Sequence, residues 1–433
     1  MNDFQILRRR FLKLCSRAGL GYAASIGLGS LSRGSEAAED GAYQGPYFIV
    51  LNASGGWDTT YLMDPKGIND INRLYREGDI ASVGAHRFAP TAAHIEGGMS
   101  NEDFFGRYGR ELRVLNGIDY SVNNHTPCSR YMATGKLDSL AYPTFAALVA
   151  ACRGVDSPLA FLTFGDYSAT GNLVPMSRVP YLQSLNLLAR ADSVQGSDQH
   201  RYADNFVTDR IERTLREQYE TRREQSTLPR VERSRSMLYG SQVSSKTLSR
   251  VVPHIPKEPS KSRIGQQADI ALAAFKAGVC VSANLAVGQF DSHNSNDPDQ
   301  MRLIPEFLAG VDYVLRKAEE LQIRERLVVV LQSEMARTPN YNATGGKDHW
   351  SIGSVMFLGA GIEGNRSIGG TDAMQQLLPI SPETLAVDPT GIRIRPEHVH
   401  QGLRELAGIV DHPFARQFPL DVKPGERLQG FWS

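Results

Sequence analysis

Tyr47-Phe-Ile-Val-Leu-Asn-Ala-Ser-Gly-Gly-Trp-Asp58 opens with an apolar, β-branched run and ends on a carboxylate. A run of this kind reads as a strand buried on both faces, the signature of a parallel sheet. The two glycines let the chain turn sharply after the strand, so Asp58 is expected just beyond its carboxyl end. The pattern recurs. Gly278-Val-Cys-Val-Ser-Ala-Asn-Leu-Ala-Val287 leads to Asp291 and His293, and Leu327-Val-Val-Val-Leu-Gln-Ser leads to Glu334. Asp348 and His349 follow in Gly345-Gly-Lys-Asp-His-Trp350. Ligands of open α/β sheets lie at the carboxyl ends of the strands. Side chains distant in sequence would therefore converge on one sheet edge. A single Asp or Glu at such a place serves equally well as a helix cap or turn residue. Several exits that all offer Asp, Glu or His point to a metal site.

The remaining organisation fits this frame. Strands are predicted at 47–53, 112–117, 159–164, 279–287, 327–333 and 353–358. Helices are predicted at 140–153, 265–277 and 300–322, the last with Ile304, Phe307, Leu308, Val311, Val314 and Leu315 on one face. Strands alternating with helices imply an α/β fold with a mostly parallel central sheet flanked by helices. Residues 39–433 are read as a single domain. Within it, 198–255 is a polar, arginine-rich helical insertion and its Pro-rich linker, with a partner-binding arm as the alternative.

Residues 1–38 read as a targeting segment. Arg8-Arg-Arg-Phe-Leu-Lys13 matches the twin-arginine export pattern, and a Gly- and Ala-rich stretch follows it from Ala18 to Leu31. That stretch is too glycine-rich and too short for a stable membrane span. The expected location is periplasmic or otherwise extracytoplasmic, reached through the twin-arginine export machinery. Basic and acidic residues balance at 47 each, which gives no sign of a nucleic-acid partner. Of the four cysteines, Cys15 lies in the export segment; Cys128, Cys152 and Cys280 remain, with no paired spacing to suggest a disulfide framework.

Asp58, Asp291, His293, Glu334 and His349 are the candidate metal ligands. Mixed carboxylate and imidazole donors suit zinc, manganese or iron better than calcium, with zinc or manganese the expected ion, and two clusters would suit two ions. The segment Asn123-Asn-His-Thr-Pro-Cys-Ser-Arg130 supplies candidate catalytic groups. His125 is either a ligand or an acid/base, Thr126 a candidate nucleophile, and Arg130 a bidentate oxyanion holder. The alternative is a helix-starting turn capped by Thr126 or Ser129. The chain carries no Gly-x-Gly-x-x-Gly fingerprint and no Gly-x-Ser-x-Gly elbow.

Arg8-Arg-Arg-Phe-Leu-Lys13, Gly55-Gly-Trp-Asp58, Phe290-Asp-Ser-His293, Ser333-Glu-Met-Ala-Arg-Thr-Pro339 and Gly345-Gly-Lys-Asp-His-Trp350 occur in an order that resembles the exported domain-of-unknown-function 1501 family. That family looks like a branch of the alkaline phosphatase and sulfatase superfamily. The resemblance implies an alkaline-phosphatase-like fold carrying a metal site for sulfate or phosphate esters, small or on a glycan. It implies Asp58 as first-strand ligand, Asp291 and His293 as a ligand pair, and His349 as the late histidine. Glu334-Met335 stands where the superfamily has an Asp-His pair, and His125 is the candidate replacement imidazole. Cys128 falls outside the superfamily's Cys/Ser-x-Pro-x-Arg nucleophile pattern. The expected function is metal-assisted ester hydrolysis. The alternatives are a catalytically silent metal-binding relative that holds an anionic polymer or partner protein, and a redox or assembly factor.

Overall fold

The computed structural model describes residues 42–433 apart from 69, 93, 155–156, 191–192, 195–199, 201 and 225–244. The twin-arginine segment thus lies outside the described residues. In chain order the strands are β1 (Tyr47–Ala53), β2 (Ala81–Val83), β3 (His86–Phe88), β4 (Arg113–Asp119), β5 (Phe161–Thr163), β6 (Ser282–Val287), β7 (Leu327–Gln332), β8 (Ala336–Arg337), β9 (His349–Trp350), β10 (Ile352–Gly359) and β11 (Arg366–Gly369). Seven of them form one sheet in the order β11-β4-β10-β7-β1-β6-β5. Its pairs β5–β6, β6–β1, β1–β7 and β4–β11 are parallel, whereas β10 runs antiparallel to both β4 and β7. The expected α/β class with a mostly parallel sheet is what the chain adopts.

Successive strand side chains point to opposite faces, and this divides the core in two. Ile49 and Leu51 of β1, with Val329 and Leu331 of β7, join the core that also holds the helices Arg263–Lys276 and Asn296–Glu320. Phe48, Val50, Val328 and Val330 face the other way, toward helices Phe145–Arg153 and Pro396–Leu406. Every residue of β1 and β7 is buried, which is why these strands read as unbroken apolar runs. The predicted apolar stripe of the long helix is buried at all six positions, from Ile304 to Leu315. Each such side chain contributes about 1.5–3 kcal/mol of transfer free energy.

The arginine-rich insertion contains the helices Asn205–Glu224 and Ser245–Ser249, and residues 225–244 between them lie outside the described set. Cys128, Cys152 and Cys280 are free thiols. Among the described residues no helix is long and apolar enough to cross a membrane.

One topological detail positions the site. Because β1, β4, β6 and β7 run in one direction, the residues that follow them emerge on one sheet edge. β10 runs the other way, so the residues that enter it reach that same edge. The chain gets there through the β8–β9 hairpin, in which Arg337 is the register partner of His349.

Candidate metal centre

His125, Asp291, His293, Glu334 and His349 meet at this edge. His125 is the first residue of the helix His125–Thr134, capped by the Asn124 side chain accepting from Thr126 N. Asp291 and His293 follow β6, Glu334 follows β7, and His349 sits in β9. Ligand atoms of His125, Asp291 and His349 all lie within 4.8 Å of one another. His293 Nε2 stands 2.9 Å from His349 Nε2 and 3.1 Å from Asp291 Oδ1. His125 Nε2 is 3.3 Å from Asp291 Oδ2, and His349 Nε2 is 3.3 Å from Asp291 Oδ1.

The other nitrogen of each ring decides what these short distances mean. His349 Nδ1 is 2.9 Å from the carbonyl of Asn123, which can only accept, so that nitrogen carries the proton. His293 Nδ1 likewise donates to Asp348 Oδ1 at 2.9 Å, and His125 Nδ1 to Glu334 Oε1 at 3.0 Å. With neutral rings, all three Nε2 atoms present lone pairs to one another and to the Asp291 carboxylate. Lone pairs at 2.9–3.3 Å repel unless a cation stands among them. A divalent ion held there would supply that charge. An imidazole whose far nitrogen is fixed by a carboxylate or carbonyl is the usual way a protein orients a metal ligand. The three-imidazole, one-carboxylate donor set fits zinc or manganese.

Electrostatics follow the same partners. The hydrogen bond to Glu334 raises His125 above the usual histidine value, against the lowering effect of burial. Burial lowers His349. Burial pushes the Asp291 carboxyl up, but the Arg337 hydrogen bond and charge outweigh it and hold the group below the ordinary range. Arg337 is a residue whose role the motif reading missed, although its block was visible. It is buried, donates to Gly56 O at 2.8 Å and to Asp291 Oδ1 at 2.8 Å, and also bonds Gly55 O. It thereby ties the β1 turn to the ligand carboxylate.

Asp58 is the correction. Its carboxylate is not in the cluster. Oδ2 accepts from Lys347 Nζ at 2.6 Å and from Asn296 Nδ2 at 2.9 Å, while Oδ1 accepts from Thr60 N and Thr60 Oγ1. Asp58 and Lys347 side chains are both 0% exposed, whereas that of Asp291 is 42% exposed. A carboxylate so fully paired has no lone pair directed at an ion. Trp57, next to Asp58, packs in the core against Phe307, with ring centroids 5.7 Å apart. Thr126 is exposed on the first helical turn, and Arg130 Nε donates to Leu137 O at 2.7 Å. Neither is brought to the Asp291 carboxylate by a direct contact. A cleft lined by Ser129, Asp166, Tyr167 and Glu334 opens beside the cluster.

Comparisons with known proteins add the following. A family model described as a protein of unknown function, DUF1501, matches residues 47–387. No curated protein matches the chain. Among solved structures it is similar to a TAB5 alkaline phosphatase mutant with Mg bound, at 9% identity and TM-score 0.38, covering 85% of this chain and 99% of that one. It is similar to the PsFucS1 sulfatase from Pseudoalteromonas sp., at 8% identity and TM-score 0.37, covering 98% and 77%. It is similar to Ps i-CgsB in complex with k-i-k-neocarrahexaose, at 9% identity and TM-score 0.37, covering 89% and 75%.

Proposed function

The chain belongs to the DUF1501 family, and from that premise we propose that it is an exported, metal-dependent hydrolase of a sulfate or phosphate ester. The observation that supports this reading is the convergence of three imidazole Nε2 atoms on the Asp291 carboxylate. His125, Asp291, His293 and His349 would hold one divalent ion, zinc or manganese, with Glu334 beside it. Such an ion supplies Lewis-acid polarisation of the ester oxygens and charge neutralisation in the transition state.

The chain's own residues do the rest. Asp348, Asn123 and Glu334 keep the three rings in the tautomer that leaves Nε2 free. Arg337 adds positive charge at Asp291. The amino-terminal end of the helix His125–Thr134 offers backbone N–H groups and a partial positive charge, both suited to a tetrahedral anion. Arg130, on the same helix, is the candidate side chain for an ester oxygen. The Arg8–Lys13 pattern supports the extracytoplasmic location and passage through the twin-arginine machinery.

The test is elemental analysis joined to an ester screen. Protein purified without added metal is expected to carry about one ion per chain, a stoichiometry set by a single donor set. Aryl phosphates, phosphodiesters and sulfates are then offered with zinc or manganese present. Turnover that disappears in His293→Ala supports the reading. Full metal occupancy with no turnover on any ester class would favour the catalytically silent binder of an anionic polymer or partner.

A further inference from the structure

We propose that Ser54 supplies the nucleophilic oxygen for this ester hydrolysis and that Asp166 takes its proton. The inference rests on the reading above and names the attacking group that reading leaves open.

Ser54 is the residue that follows β1, on the edge where the metal donors gather. Its Oγ donates to Asp166 Oδ1 at 2.7 Å and Oδ2 at 2.6 Å, so the hydroxyl proton already lies between the two carboxylate oxygens. The side chain is half-buried and open to solvent. The backbone is fixed on both sides, with Ser54 N donating to Val287 O at 2.8 Å and Phe290 N donating to Ser54 O at 3.1 Å.

The next residue joins Ser54 to the cluster. Gly55 N donates to Glu334 Oε1 at 2.8 Å, the same oxygen that receives His125 Nδ1. Gly55 also packs against the Asp291 backbone. A Cβ there would come within 2.5 Å of Asp291 N, at a φ of +117° that side chains rarely adopt. Glycine at 55 therefore keeps Ser54 pressed against two groups of the cluster. Two neighbouring hydroxyls are otherwise engaged. Ser333 Oγ is buried and donates to Ala53 O, and Ser292 Oγ is buried and donates to Asn296 Oδ1. Thr126 lies outside, on the exposed face of its helix turn.

Asp166 suits the role of base. It lines a cleft together with Glu334, the carboxylate that receives Gly55 N beside Ser54. One face of its side chain meets solvent, yet the cleft crowds it. That desolvation pushes its carboxyl up to about 6, against the lowering effect of the Ser54 hydrogen bond. A base near the working pH is the efficient choice for proton transfer.

The step balances. The Ser54 Oγ–phosphorus (or sulfur) bond forms, and the bond from that atom to the alcohol oxygen breaks. The alcohol leaves with the electron pair and takes a proton from water, while the Ser54 proton passes to Asp166. Water then attacks the phosphorus or sulfur as its bond to Ser54 Oγ breaks; Ser54 takes its proton back from Asp166, the proton shed by the attacking water neutralises the hydroxide left by the first step, and the inorganic anion is released.

The experiment uses metal-loaded full-length protein with 4-nitrophenyl phosphate and 4-nitrophenyl sulfate. Acid quench during turnover, followed by peptide mass mapping, is expected to find a phosphoryl or sulfuryl adduct on Ser54. Ser54→Ala should lose several orders of magnitude in kcat with unchanged metal content, and Asp166→Asn about 10²–10⁴-fold. Wild-type turnover with no adduct, together with a fully active Ser54→Ala, overturns the role of Ser54 and leaves the hydrolase reading standing. Absence of both turnover and adduct in the wild type overturns the two together.

Discussion

Asp58 and Asp291 are the same side chain at two neighbouring strand exits, and the fold gives them opposite work. Asp291 stays open and is surrounded by imidazoles, while Asp58 is sealed against Lys347. Nothing near Asp58 in the sequence announces a partner 289 positions away. Residue type and strand position were legible; the identity of the group facing each carboxylate was not, because that depends on how distant loops pack. The difference is testable. Asp58→Asn strands a buried ammonium, which costs about 3–5 kcal/mol of stability. Denaturant unfolding should show that loss while metal content per folded chain stays unchanged. Asp291→Asn should lose the bound ion, and in the metal-free protein it should also cost stability, because it withdraws the counter-charge of buried Arg337.

At the scale of elements, all six predicted strands are present and the buried face of the long helix is as expected. They were legible because an apolar side chain declares its own preference for burial. The antiparallel course of β10 was not legible, since a run buried on both faces carries no sign of direction. Yet that course is what delivers His349 to the carboxyl edge. The helix Pro396–Leu406 carries a further element-scale consequence. Burial holds His398 and His400 at about 4, below their ordinary value of 6.5. His400 Nε2 lies 2.7 Å from Met132 O, to which it donates as a neutral ring. The unfolded chain binds protons at these sites as pH falls below 6.5, before the folded chain can. Stability present above that pH should therefore drain away between 6.5 and about 4, by up to about 3 kcal/mol for each histidine. Unfolding at pH 7 and pH 5 measures it. A double variant, His398→Gln with His400→Gln, should flatten the dependence.

For the molecule as a whole, the ion's largest effect on stability should be linkage. A ligand that binds only the folded state adds about 2.7 kcal/mol at a hundredfold excess over its dissociation constant. Zinc or manganese added to chelator-treated protein is thus expected to raise Tm in thermal unfolding. His293→Ala should abolish the rise.

The rings of His125, His293 and His349 are aimed by Glu334, Asp348 and Asn123, so the scaffold sets the direction of each donor. Donors whose directions the scaffold sets do not select by shaping themselves around one guest. They take the ion that is abundant where folding finishes, and affinity alone would rank copper and zinc above manganese. The metal recovered from this protein should then be a record of place. Chains folded in zinc-rich and in manganese-rich surroundings, purified identically, would carry different ions in the same unchanged scaffold.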